Sequence, residues 1–288
     1  QAKGAGMEQL TTWVTDTKIP VGRTAKTAFD WLNANAAGVF DAVSTVMEAL
    51  IDAVLTALEA PHPFLFIALA MALTWALQRR VGTCLLVGLG LLFVLNQGYW
   101  SEMMQSLTLV LSACIVCMGL GVPIGIAAAH RPRLYAAMRP VLDLMQTLPT
   151  FVYLIPAIVF FGIGMVPGLL ATVIFVLPAP IRLTQLGIAS TPPALVEAAT
   201  AFGATPRQLL WKVELPSALP QIMAGLNQTI MLSLSMVVIA ALVGASGLGV
   251  PVVRALNSVN TALGFESGMV IVVVAILLDR MLRMEGRK

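Results

Sequence analysis

The sequence predicts an all-α integral membrane protein of about seven transmembrane helices. Three observations carry that prediction. The chain is 58% hydrophobic and 11% charged, with a mean hydropathy of +0.90, whereas an ordinary soluble domain has about 25% charged residues. Too few polar side chains remain to cover a water-soluble surface. Seven mostly apolar stretches, roughly 63–78, 81–98, 105–129, 142–163, 167–189, 219–243 and 267–284, approach or exceed the ~20 residues with which a helix crosses a bilayer. The basic residues, finally, fall in alternate connections.

That alternation gives an orientation, because cytoplasmic connections collect Lys and Arg. Arg79 and Arg80 lie in the first connection, Arg131, Arg133 and Arg139 in the third, Arg207 and Lys212 in the fifth, and Arg283, Arg287 and Lys288 in the tail. The 99–104 and 164–166 connections carry none, and 244–266 has only Arg254. The expected topology has the N-terminus outside and the C-terminus cytoplasmic. The net charge of +3 follows from this placement and does not indicate nucleic-acid binding.

Taken in order, residues 1–61 are an N-terminal extension. QAKGAG ahead of Met7 looks like a leader added for expression and is set aside. No secretory signal is expected, since the first long apolar run starts near Pro63. From Val39 to Leu58 apolar residues recur every three or four positions, with Asp41, Glu48, Asp52 and Glu59 on the other face. This amphipathic helix is expected on the outer membrane surface or against a partner's soluble domain. Residues 62–100 form a transmembrane hairpin turning at Gln78-Arg79-Arg80, and 101–288 form a core that includes a cytoplasmic loop, 190–217. Gly119, Gly121, Pro123, Gly125, Pro149, Pro156, Pro178 and Pro180 interrupt the core spans. Small residues let helices approach closely, and prolines kink them. Such irregularity suits a bundle that changes shape, and close packing alone would also use it.

The loop is the most punctuated part of the chain. A first helix opens at Thr191-Pro192-Pro193, with proline in the first turn where its missing N–H costs nothing. It runs through ALVEAATAF to Gly203, suited to a left-handed cap. A second opens at Thr205-Pro206-Arg207-Gln208, a capping box, runs through LLWKVEL, and is expected to stop at Pro216. Ala198 and Ala199 keep one face thin, and Glu197 places a charge there. Such a loop reads as a docking element for another protein; a merely capped or re-entrant loop is the alternative.

The spacing Glu-Ala-Ala, three residues, Gly, nine residues, Val, one residue, Leu-Pro resembles the cytoplasmic loop motif of ABC-importer permeases. Glu197, Ala198, Ala199, Gly203, Val213, Leu215 and Pro216 match it, with Val213 where isoleucine is commoner; Arg207 lies within the same loop. The likeness extends from about Met103 to Arg283, and LSMVVIAALVGASGLGVPVVRAL (232–256) with ILLDR (276–280) resembles the glycine betaine/proline permease branch. The resemblance implies a type I ABC importer permease bundle whose loop docks on an ATP-binding subunit. It further implies an ATPase dimer, a periplasmic or extracytoplasmic substrate-binding protein, a second copy of this chain, and a bacterial cytoplasmic membrane. The substrates it implies are glycine betaine, proline betaine, choline, carnitine or trimethylamine N-oxide. The chain has no Gly-x4-Gly-Lys-Ser/Thr loop, so it is expected to be no enzyme and to bind no cofactor of its own, with ATP and Mg in the partner ATPase.

Other features carry less. Cys114 and Cys117 have CxxC spacing inside an apolar span, where buried apolar thiols are expected and no metal. Gly247-Leu248-Gly249 reads as a tight turn, His62 and His130 as isolated boundary residues, and Asp279 as the partner of Arg283. For a substrate pathway the candidates are Ser233, Ser235 and Met236, following Asn227, Gln228 and Thr229, because polar groups in a span are costly. Hydroxyls bonding their own helix are the alternative. Phe151 and Tyr153 could face a quaternary ammonium. Competing functions are a permease for another small polar solute such as an amino acid, a stand-alone secondary transporter, and a non-transporting scaffold. Asp143 and Asp279 lie near span ends, which disfavours ion coupling.

Overall fold

The computed structural model describes residues 20–282 together with Thr12 and Thr15, and contacts divide the chain into two units, 1–42 and 43–288. The leader, the basic tail residues Arg283, Arg287 and Lys288, and hence the expected Asp279–Arg283 pair lie outside the described residues. Every regular element among the described residues is helical.

In the first unit the described chain is the opening of helix α1 (Val21–Glu59). Thr24 and Thr27 donate to the carbonyls of Pro20 and Arg23, both at 3.0 Å, and Asn35 to that of Trp31 at 2.8 Å. Helical geometry breaks at Ala36, with φ −120° and ψ 15°.

The second unit holds the rest of α1 and all the apolar helices. Helix α1 starts well before the Val39 at which the periodicity predicted it. Its Ile51 is buried, and Met47, Leu55 and Leu58 pack on the main apolar core, while Glu48, Asp52 and Glu59 are exposed. The apolar face assigned to a membrane surface is therefore partly taken by the chain's own bundle. The chain bends by 95° at residues 60–62 into α2 (Pro63–Gln78), which pairs with α3 (Val81–Asn96) across a left-handed Arg79 at φ 53°.

Helix α4 (Trp100–His130) passes through Pro123 without ending. Next come α5 (Pro132–Thr147) and α6 (Thr150–Phe161), bent by 97°. The expected continuous span 142–163 is therefore broken. Pro149 disfavours helical geometry at the preceding residue, and Leu148 lies at φ −66°, ψ 136°. By contrast α7 (Met165–Val176) and α8 (Pro178–Ala189) join into one span of 25 residues, because Leu177 stays helical at φ −50°, ψ −35°. Two short helices, α9 (Pro193–Ala201) and α10 (Pro206–Leu209), lead through a π turn at Leu210–Glu214 into α11 (Leu215–Ala241). The 244–266 connection contains α12 (Gly249–Ser258) and the start of α13 (Thr261–Leu282).

Among the described residues, four stretches are long and apolar enough to cross a bilayer: Trp100–His130, Met165–Ala189, Pro206–Ala241 and Thr261–Met281. The two bent pairs raise the number to six if each is one span, and Val81–Asn96 is a shorter apolar helix. As far as the described residues reach, all seven predicted stretches are thus mainly helical, one of them interrupted.

Helix α8 lies at the centre of the bundle, packed between α4 and α11, and glycines permit the approach. A Cβ on Gly125 would lie 2.7 Å from Ile181 O, one on Gly121 2.8 Å from Pro180 Cγ, and one on Gly187 2.9 Å from Gln221 Cβ. At the far end, Gly247 turns at φ 126° and Leu248 N–H donates to Ser106 Oγ at 2.8 Å, which is the expected tight turn. Nearby, burial and then a hydrogen bond with Glu266 push the Tyr99 phenol pKa up. Cys84, Cys114 and Cys117 are buried.

Candidate functional site

The hairpin 193–214 is built from backbone caps. At the end of α9, Gly203 N–H donates to Thr200 O at 2.9 Å and Ala204 N–H to Ala199 O at 3.0 Å. This is a Schellman motif, and it needs a left-handed residue, which Gly203 supplies at φ 80°. Helix α10 starts with a complete capping box: Thr205 N–H donates to Gln208 Oε1 at 2.9 Å, and Gln208 N–H to Thr205 Oγ1 at 3.3 Å.

Pro216 does not stop this helix. Leu215 N–H bonds back to Leu210 O, one residue further than in an α-helix. Pro216 then sits in the first turn of α11, and a continuous helical stretch of 36 residues runs from Pro206 to Ala241. In an unbroken α-helix a proline ring collides with the carbonyl four residues earlier. The wider π turn accommodates that residue and keeps the chain helical.

What the hairpin leaves open is as specific as its shape. Helix α9 has no buried residue. Phe202 is 91% exposed, Trp211 64% and Leu195 50%. Glu197, Ala198, Gly203 and Arg207 are exposed beside them, Ala199 is half-buried, and Val213 and Leu215 are half-buried at the hairpin's base. Three large apolar side chains on a polar loop cost free energy in water unless something covers them.

Two ion pairs, one of them at the hairpin's base, were missed from the sequence. His130, read there as isolated, points Nε2 at Glu214 Oε2 at 2.9 Å. Glu214 is 8% exposed. The partners are 84 positions apart, and no local pattern joins them. Arg182, inside an apolar span, donates from Nη2 to Asp143 Oδ1 at 2.6 Å and ties α8 to α5. An ionisable residue in a span is the signal that should have drawn attention to it. His62, by contrast, stacks on Phe64 with ring centroids 5.7 Å apart.

The pathway candidates separate into two groups. Ser233, Met236 and Tyr153 are buried, and Tyr153 and Met236 share a small apolar cluster. The Tyr153 hydroxyl donates to Met145 O at 2.6 Å, holding the α5–α6 elbow, so its polar end is already occupied. Ser233 Oγ and Asn227 Oδ1 are buried without a hydrogen-bond partner. Ser235 and Phe151 are exposed, and Ser235 bonds its own helix at Met231 O, 3.1 Å away. Ala224, Gln228, Met231, Ser235 and Leu242 form one exposed stripe along α11. Among the described residues no group of three or more His, Cys, Asp or Glu could hold a metal.

Comparison with known proteins gives a consistent result. Residues 121–284 match the family described as "Binding-protein-dependent transport system inner membrane component". The glycine betaine transport system permease protein OpuAB of Bacillus subtilis is 46% identical over 263 residues, covering 91% of this chain and 93% of its own. The glycine betaine/proline betaine transport system permease protein ProW of Escherichia coli is 42% identical over 274 residues, covering 94% and 76%. Among solved structures, an inward-facing conformation of the MetNI methionine ABC transporter aligns with a TM-score of 0.59 at 23% identity. It covers 68% of this chain and 98% of that one, and at that identity it shows the fold.

Proposed function

The chain belongs to the binding-protein-dependent transport system inner membrane components, and on that footing we propose that it is the permease subunit of a betaine-type ABC importer, driven through hairpin 193–214. The protein is a transport component and not an enzyme. Its substrate is glycine betaine or a closely related quaternary or methylated amine, as in its relatives. The observation that supports the hairpin's role is the pairing of a backbone capped at Gly203 and Thr205 with three large exposed apolar side chains, Leu195, Phe202 and Trp211. A turn held by local caps and exposed apolar side chains together are what a docking surface needs.

The partner is a pair of ATP-binding subunits, which hold the ATP and Mg. Phe202 and Trp211 enter a groove on the partner, with Glu197 and Arg207 at its rim. Closure of the ATPase dimer on ATP displaces the hairpin, and the unbroken helix from Pro206 to Ala241 carries that displacement into the span as a lever. A second copy of the chain completes the pathway. The exposed stripe of α11 faces it, since Gln228 and Ser235 would be costly against lipid. The hairpin lies on the cytoplasmic side of the bacterial inner membrane, where the basic connections gather, and a substrate-binding protein delivers from the other side.

Reconstitution tests this. Uptake of glycine betaine into proteoliposomes should require this chain, an ATPase and a binding protein together. Replacing Glu197 by Lys, or Gly203 by Trp, should lower uptake per ATP by about tenfold or more, the equivalent of 1.4 kcal/mol, while the chain remains inserted. Uptake by the chain alone would refute the importer assignment, and normal coupling in both variants would refute the docking role.

A further inference from the structure

Arg182 is the sole charged residue of the span Met165–Ala189, and it lies about 10 Å along the helix from the end at Ala189. Ionisable groups inside a span are costly and mark substrate sites or pathways. Arg182 meets Asp143 of α5 through one atom pair, Nη2 to Oδ1 at 2.6 Å. On a guanidinium, Nε and Nη2 point their hydrogens the same way and form an edge that can grip both oxygens of a carboxylate. Here that edge is half used, because Arg182 Nε is buried without a hydrogen-bond partner. An unmatched donor on a charged group costs more free energy than one on a neutral group. Asp143 therefore holds the guanidinium without satisfying it.

The pair is open to exchange. The Arg182 side chain is 33% exposed and that of Asp143 54%, so a small solute can reach both. Leu186, one turn further along α8, is exposed as well. The flank of α8 that carries Arg182 is thus uncovered, whereas the flanks holding Thr184 and Gly187 are buried against α4 and α11. A charge on an uncovered flank of a span needs a polar neighbour. Glycine betaine presents a carboxylate beside a quaternary ammonium that donates no hydrogen bond. The carboxylate is the one group of such a solute that can take both donors of the edge.

We propose that Arg182 is a specificity-determining contact of the translocation pathway: its Nε and Nη2 take the carboxylate of a betaine substrate, and Asp143 is the resting partner that the substrate displaces. The proposal rests on the reading of the chain as a betaine permease. A free carboxylate makes two charge-assisted bonds where Asp143 makes one, so a mobile solute competes with a tethered side chain. Displacement also unties α5 from α8 just ahead of the 97° elbow, so the event that seats the substrate loosens the broken span. When the substrate leaves, Asp143 returns, and the guanidinium is not left bare. A methylated solute without a carboxylate cannot make this exchange.

The test uses the full complex of this chain, its ATPase and its binding protein in proteoliposomes. Uptake of radiolabelled glycine betaine must first require both partners; if it does not, the permease reading falls and takes the proposal with it. Unlabelled solute is then added on the ATPase side, and the concentration that halves uptake is measured for glycine betaine and for trimethylamine N-oxide. Both are methylated and net neutral, and only the first has a carboxylate. Wild type should need about tenfold less glycine betaine than trimethylamine N-oxide, the equivalent of one charge-assisted hydrogen bond. Arg182→Gln should erase that difference, and Arg182→Lys, which keeps the charge without the fork, should shrink it. Asp143→Asn should move the glycine betaine value the other way, to about tenfold lower concentration, because the competitor for the edge is gone. Equal potency of the two solutes in wild type overturns the contact while leaving the permease reading intact. A shift of the same sign in Arg182→Gln and Asp143→Asn also overturns it, since a merely structural ion pair would behave that way. If Arg182→Gln fails to assemble, the solute comparison and Asp143→Asn decide.

Discussion

Gly125 and Gly203 use the same residue for opposite ends. In the α4–α8 crossing, a Cβ on Gly125 would lie 2.7 Å from both Ile181 O and Thr184 Cβ, so glycine is there for space. In the hairpin, a Cβ on Gly203 would meet nothing within 4 Å, yet the backbone sits at φ 80°, so glycine is there for conformation. The core is specified by what touches it. The hairpin is specified by how its backbone is capped, which leaves its face free for another molecule. One chain thus contains a region that tolerates no added atom and another that tolerates many, provided its backbone keeps its shape.

Substitutions can break or sharpen that contrast. The largest effect is expected at Gly125→Val, where the added carbons meet backbone as well as side chain. Destabilisation of the purified chain should reach or exceed about 3 kcal/mol, the upper end of ordinary overpacking, read as loss of folded protein in detergent thermal unfolding. Gly203→Ala should cost about 1–2 kcal/mol from the left-handed conformation alone. Equal losses at the two glycines would erase the distinction. Thr205→Ala removes one side of the capping box and should cost about 1 kcal/mol, with uptake reduced through a frayed α10. Phe202→Ser should change stability by no more than about 0.5 kcal/mol and yet abolish co-purification of the ATPase. A stability loss of several kcal/mol there would mean that Phe202 packs within this chain and the hairpin has no free face.

The contrast also explains what could be read in advance. The hairpin's caps at Gly203 and Thr205 were legible because capping is decided by residues within a few positions of one another. The apolar stretches were legible because burial in lipid or in a bundle demands the same composition. Pro216 was misread for a related reason. Taken locally it ends a helix, but the preceding π turn at 210–214 accommodates it. Leu148-Pro149 was the reverse case: hydropathy ran straight across a 97° elbow, and a proline there was no guide by itself, since Leu177 and Leu215 also precede prolines and stay helical. The α1 face was assigned to a membrane surface because periodicity reports that a face is apolar, and not what covers it.

The site divides along the same line. Glu197, Ala198 and Gly203 were singled out from spacing, and all three are exposed. The pathway residues were chosen by polarity alone, which cannot tell the buried side of α11 from its open stripe. Ser233 and Ser235 therefore fell on opposite sides. His130 with Glu214 and Arg182 with Asp143 joined positions 84 and 39 apart.

By itself, the sequence determined the class of protein, its helices and the shape of the loop, because composition, hydropathy and capping act over distances of one or two helical turns. Only the tertiary structure decided where the fourth span breaks, that the hairpin's second helix continues into a span, which polar groups meet, and which apolar side chains remain uncovered. These depend on contacts between remote segments, whose energies arise only once the bundle brings them together.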